Sequence, residues 1–165
     1  MPRLTPSDVC KRGCAIIWTV SSENPTTAPD ALPSTRLPAE VTTVAPDGSD
    51  VRVLLATDRG SMAHFELAAG RVSAAIRHRT VEEIWFVIGG HGEMWRKRDR
   101  AEAVTDLDTG TSVVIPVGTS FQFRSIGPGP LAAVAVTMPP WPGPDEAEAV
   151  DGCPDWSSTG ADNLP

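Results

Sequence analysis

No stretch of this chain is apolar for long enough to span a bilayer. The apolar run Cys14–Val20 behind Lys11-Arg12 is at the short limit for a signal peptide, and no small-residue cleavage site follows it cleanly. Cysteine is scarce: Cys10, Cys14 and Cys153 make no disulfide framework and no four-ligand zinc pattern, and Cys10 and Cys14 lie at the wrong spacing for a redox pair. A reduced, cytoplasmic setting follows as the expectation. Positive charge is also short. At a formal −7 the chain is a poor partner for nucleic acid or an anionic membrane, and its one basic cluster, Arg96-Lys97-Arg98 with Arg100, reads as a solvated hairpin end. No fixed-period repeat supports a propeller or solenoid, and no segment after residue 50 carries a convincing helical spacing of apolar residues.

What is present is proline, glycine and alternation. A chain of 165 residues has room for one core, but 16 prolines and 14 glycines mean that part of it stays outside that core. Residues 1–50 read as a Pro/Ser/Thr-rich arm with one candidate strand at 15–20. The remainder of the arm either pairs at a sheet edge near Val41–Val44 or stays disordered. From Val51 the character changes. Val51–Thr57, Met62–Ala68, Val72–His78, Glu83–Ile88, Glu93–Arg98, Ala103–Leu107, Ser112–Ile115, Ser120–Arg124 and Leu131–Thr137 each read as a strand bounded by turn residues. Nine short strands at near-regular intervals predict an all-β domain over 51–137, an antiparallel sandwich or closed barrel. Residues 138–165 form a Pro-rich tail, with one helical turn expected over Asp145–Val150. Trp141 and Trp156 are costly to leave in water, so part of the tail is expected against the barrel or a second subunit. The exposed edge strands and these Trp-bearing arms together predict a homodimer.

The stretch Gly70–Gly90, GRVSAAIRHRTVEEIWFVIGG, carries the chemistry. Two-residue periodicity puts Ile76 with His78 on one face, Glu83 with Trp85 and Val87 on another, and Phe121 with Phe123 on a third. If these faces turn inward, they enclose an apolar, aromatic pocket with one imidazole and one carboxylate. A one-residue slip would instead turn Glu82 inward. His78 is then either a general acid/base or a core histidine satisfied by Glu83 or a carbonyl. Trp85, Phe121 and Phe123 serve equally as plain core or as ligand platform. His64 alternates with Met62 and Glu66 on the preceding strand, and His91 sits at a glycine turn; both read as surface or mouth residues.

Gly70, His78, Glu83 and Gly90, followed by Gly110, Pro116 and Gly118, resemble the two sequence motifs of the cupin superfamily. The resemblance covers roughly residues 51–137 and implies a small single-domain cupin, an antiparallel β-barrel of jelly-roll type. It departs at Ile76 and Phe121, which stand where metal-binding cupins place histidines, and at Ser125, which stands at the motif's asparagine. The resemblance therefore implies no resident cofactor, or a weakly held divalent metal on His78 and Glu83 with His64 as a recruited third ligand. It also implies a small, largely apolar metabolite as ligand, with metal-independent or metal-poor proton transfer, isomerisation or cyclisation carried by His78 and Glu83. Ile76, Trp85, Phe121, Phe123 and His64 would line the pocket. Two other readings stand beside it: a non-catalytic sensor or carrier, and a structural protein with a filled barrel. A void beside His78 would favour the enzyme, and Trp85 packed across to Phe123 the filled barrel.

Overall fold

A computed structural model describes residues 32–159. The candidate strand at 15–20, Cys10 and Cys14 lie outside the described residues. Eleven strands follow in order: β1 Thr43–Val44, β2 Asp50–Thr57, β3 Gly60–Leu67, β4 Ile76–His78, β5 Glu82–Gly89, β6 His91–Arg98, β7 Ala101–Asp108, β8 Ser112–Ile115, β9 Ser120–Ser125, β10 Leu131–Met138 and β11 Ala147–Ala149. A single 3₁₀ turn, Pro144–Glu146, is the one helical element among the described residues, and it occupies part of the stretch expected to make a helical turn. None of the described helices is long and apolar enough to cross a membrane.

The strands form two antiparallel sheets, in the orders β1-β2-β3-β10-β5-β8 and β11-β4-β9-β6-β7. From β3 onward the chain passes repeatedly from one sheet to the other, with only the β6–β7 hairpin staying in place. This alternation is the jelly roll that the family resemblance implies, and all nine expected strands are found. The sheets also run past residues 51 and 137, through β1 at one end and β11 at the other. Alternation in β5 explains the layering: Glu83, Trp85 and Val87 are buried while Glu82, Ile84, Phe86 and Ile88 are exposed. The crossing from β5 to β6 needs Gly90, whose φ is 80° and where a Cβ would run into the Pro130 carbonyl.

Between the sheets Phe65 stacks on Trp85 at 5.3 Å, and Trp85 meets Phe123 edge-on at 5.0 Å. Met94, Leu107, Ile115 and Leu131 close the core around them.

The expected strand Val72–His78 is shorter than its sequence suggests. Only Ile76–His78 joins a ladder, with an isolated bridge at Val72. Ser73 is the cause. Its N–H donates to the Phe123 carbonyl, and its hydroxyl, not its backbone, accepts from the Phe123 N–H. Its own carbonyl is taken by the Gln122 side chain. Side-chain bonds thus replace the regular ladder here.

The C-terminal segment lies against the five-stranded sheet. β11 extends that sheet at β4, the Cys153 N–H donates to Gln122 Oε1, and Thr159 pairs with Val72. Trp156 lies under the Arg124 guanidinium, 4.4 Å from ring centroid to Cζ, and Arg124 is itself paired with Glu93. Both expected tail tryptophans therefore pack on the barrel, Trp156 here and Trp141 at the site described below. Trp156→Ala removes a buried indole and should cost about 3 kcal/mol. The check is a lower urea midpoint together with faster hydrogen exchange at the Val72 amide, which Thr159 Oγ1 caps.

Candidate functional site

His78 ends β4 and Glu83 lies in β5, with the Arg79–Val81 turn between them clamped from outside. Glu146 does the clamping. Its carboxylate accepts from the amides of Thr80 and Val81 and from the Thr80 hydroxyl. Burial works against that charge, but the three hydrogen bonds outweigh it and hold the carboxyl below its usual range.

The imidazole of His78 is 3% exposed and wedged edge-on between two aromatic rings, Phe121 at 5.1 Å and Trp141 at 5.2 Å. Its Nδ1 is buried with no hydrogen-bond partner. Burial lowers its pKa to about 4, with the Glu146 carboxylate pulling the other way. Glu83, 2% exposed, accepts the Trp85 indole N–H at 2.7 Å through Oε2. Burial pushes its pKa up to about 7; the Trp85 bond opposes this and the buried Asp47 carboxyl adds to it. No hydrogen bond joins His78 to Glu83 among the described residues. A general acid/base histidine would be poised near neutrality. Burial dominates instead, and of the two groups it is the carboxyl that titrates there.

The other pocket candidates divide. Ile76 and Phe121 are cross-strand partners of β4 and β9, both buried inward, so the two positions lacking histidine are filled with packed apolar side chains. Phe123 and Trp85 are inward and in contact with each other. His64 is placed elsewhere. It pairs with Val134, and Val134 with the outward Phe86, while its neighbour Phe65 stacks on Trp85 inside. His64 therefore lies on the outer face of the six-stranded sheet, beside its cross-strand partner Arg52. Burial lowers its pKa, and the Arg52 charge adds to that, with Glu66 opposing. His91 is at the surface, its Nδ1 2.7 Å from Asp108.

Two residues at the barrel were not singled out from sequence. Arg96 was placed in a solvated turn, yet it is the register partner of inward Phe121, in line with buried Met94. Its guanidinium donates to the Val114 carbonyl at 2.6 Å and to Thr105 Oγ1 at 3.0 Å, tying β8 of one sheet to β7 of the other. The alternation Gly92, Met94, Arg96 was the signal available for it. Glu146 had no such signal, because its partners are 65 and 66 residues away.

A divalent metal is implied by the fold family, and the donor chemistry here does not fit one. Two of the four ligand positions are Ile76 and Phe121, and the third candidate, His64, is outside the barrel. No cluster of three or more His, Cys, Asp or Glu side chains occurs among the described residues. The buried Nδ1 of His78 also lacks the acceptor that a ligating imidazole needs for its second nitrogen.

Comparison with known proteins agrees with this architecture. The model of the family described as "Cupin domain" matches residues 63–137. An uncharacterized protein of Methanocaldococcus jannaschii is 27% identical over 103 residues, 59% of this chain and 79% of that protein. Among solved structures, an uncharacterized protein with a double-stranded β-helix domain from Klebsiella pneumoniae is similar with a TM-score of 0.50 and 22% identity, covering 60% of this chain and 79% of that one. KdgF from Halomonas gives 0.53 and 17%, covering 64% and 94%. The capsular polysaccharide assembling protein CapF from Staphylococcus aureus gives 0.55 and 19%, covering 73% of this chain but 37% of that one. At these identities the structures speak for the fold alone. With the glycine and proline framework in place, two facing sheets of the expected topology and His78 and Glu83 inside them, residues 63–137 are similar to a cupin domain and share its fold.

Proposed function

We propose that this cupin-like protein binds a small, largely apolar metabolite at the His78 end of the barrel and moves a proton on it without a resident metal, as in an isomerisation or cyclisation. The observation that carries the reading is Glu83: a fully enclosed carboxyl, with one oxygen held by Trp85, whose pKa of about 7 suits a general base at neutral pH. Phe121, Ile76 and Trp141 supply the apolar wall, and His78 stays neutral beside it. The scarcity of cysteine in the sequence favours a reduced, cytoplasmic setting.

A second reading, a barrel that only holds a ligand or is simply filled, is favoured by one observation. Trp85 reaches across to Phe123 and closes the middle of the core. Native mass spectrometry of the protein after incubation with a cell extract identifies the ligand. Turnover in deuterium oxide then separates the readings. The enzyme reading expects deuterium on the ligand's carbon with wild type, with Glu83→Gln slower by about 10²–10⁴-fold and the rate rising with pH through about 7. Equal incorporation with wild type and Glu83→Gln would give the case to the binding module.

The two buried groups also make a prediction that needs no ligand. The folded pKa of His78, about 4, lies below its ordinary 6.5, so its contribution to stability is complete above 6.5 and is lost as pH falls through 4. That of Glu83, about 7, lies above its ordinary 4.5, so its contribution is complete below 4.5 and is lost as pH rises through 7. The spans are alike and opposite in sign, each with a slope of at most about 1.4 kcal/mol per pH unit. Wild-type stability should therefore be nearly flat between pH 4.5 and 6.5 as far as these groups set it. Glu83→Gln should become steadily more stable from pH 4 to 6.5, and His78→Gln steadily less stable from 4.5 to 7. Urea midpoints across this range read both slopes, and parallel curves for all three proteins would refute the assignment.

We also propose a homodimer through the outer face of the six-stranded sheet. Leu55, Met62, Ile84, Phe86, Ile88 and Val114 are all exposed in that sheet, Phe86 by 50%. Light scattering should give twice the chain mass at micromolar concentration, and Phe86→Asp should halve it.

A further inference from the structure

The environment of His78 determines which of its two nitrogens carries the proton, and with it what a ligand meets. Nδ1 is buried and has no hydrogen-bond partner. A proton there would be a buried donor without an acceptor, which is costly and rarer in folded proteins than an unpaired acceptor. Phe121 and Trp141 meet the ring edge-on and fix its plane, at interplanar angles of 74° and 73°. Its anchor is equally fixed, since the His78 carbonyl accepts from the Gly118 N–H and the following turn is clamped by Glu146. The bare lone pair therefore belongs on the sealed nitrogen, and the N–H on Nε2, the one ring nitrogen left to face a ligand.

We infer that His78 serves the barrel as a neutral Nε2–H donor in place of a metal ligand, and that the bound molecule presents an acceptor oxygen to it, a carbonyl or the enolate formed from one. The tautomer rests on the burial of Nδ1 alone. The ligand class rests in addition on the proposed site at this end of the barrel. With a carbonyl compound the step balances without any co-reactant. Glu83 as carboxylate takes the proton from the carbon beside the carbonyl, the C–H pair becomes the new C=C bond, and the charge gathers on the oxygen bonded to Nε2–H. Return of the proton from Glu83 to carbon completes an isomerisation or an exchange. A neutral imidazole donor is suited to this, because it stabilises the oxyanion without giving up its proton. Metal ligation through Nε2 would demand the reverse tautomer and leave Nδ1–H without an acceptor.

The test uses the ¹⁵N-labelled full chain, in which three histidines give three sets of ring signals. Those missing in His78→Gln belong to His78. Long-range proton–nitrogen correlation should show the Nε2–H pattern with an unprotonated Nδ1, and an Nδ1–H pattern overturns the inference. One equivalent of zinc should leave these signals in place, whereas their stoichiometric displacement also overturns it. The ligand class is read with two probes of like shape, acetophenone and ethylbenzene. Wild type should prefer the ketone by about tenfold, the worth of one hydrogen bond. His78→Gln, whose amide N–H₂ reaches the Nε2 position, should keep the preference, and His78→Asn, whose amide falls short, should lose it. An Nε2–H tautomer with no preference for the ketone overturns the ligand class and leaves the donor standing, so failure of the ligand site and failure of the tautomer give different results.

Discussion

The bond from the Trp85 indole to Glu83 is where the packing of this barrel and its chemistry meet. One side chain supplies both. The indole body stacks on Phe65 of its own sheet and reaches Phe123 of the other, so it is the piece of core that spans the two layers. Its N–H must find an acceptor once buried, and Glu83, two residues earlier on the same face, is that acceptor. The carboxyl is thereby fixed in place and enclosed by the same packing that the indole makes. Its raised pKa is a consequence of forming the core, with the indole bond only partly offsetting it. The site is thus less a cleft added to a scaffold than the polar end of the core itself.

The fold was legible because its signal is local. Period-two alternation with glycine and proline stops marks each strand by itself, and nine of the eleven strands were found in that way; for β1 an edge pairing was one of two alternatives left open. The inward set Ile76, His78, Glu83, Trp85, Phe121 and Phe123 followed from the same alternation once the register was assumed. The shortfall at residues 72–75 also has a local cause, a serine hydroxyl standing in for a backbone group, but alternation cannot express it. Non-local facts were not legible. Arg96 looked like part of a basic run because charge composition outweighed its place in the alternation, yet it spans the two sheets' edges. His64 was grouped with the pocket because it is a histidine on a neighbouring strand, and the pairing of β3 with β10 puts it on the other face.

The chemistry was half legible. That an imidazole and a carboxyl share the interior could be read from spacing. Which of them titrates near neutrality could not, because it depends on how completely each is enclosed and on groups far away in sequence: Trp141, Glu146 and Asp47. Spacing left His78 as either a general acid/base or a core histidine. The structure decides for burial, since the nearest charge acting on the ring is a Glu146 already engaged by three hydrogen bonds on the turn.

The C-terminal segment explains why the two sheets differ on their outer faces. Gln122 is buried although it alternates with inward Phe121 and Phe123, because Cys153 and the backbone around it cover that side of β9. That part of the five-stranded sheet therefore has protein on both faces, with Trp95 and Gln122 enclosed, while β7 keeps Val104 exposed. The six-stranded sheet keeps Ile84, Phe86 and Ile88 of β5 in the open, on the strand whose inner face holds Glu83 and Trp85. β5 is thus polar at one point inside and apolar outside, the reverse of a solvent-facing strand. The side chains proposed for association and the carboxyl proposed for proton transfer thus alternate along a single element, eight residues long.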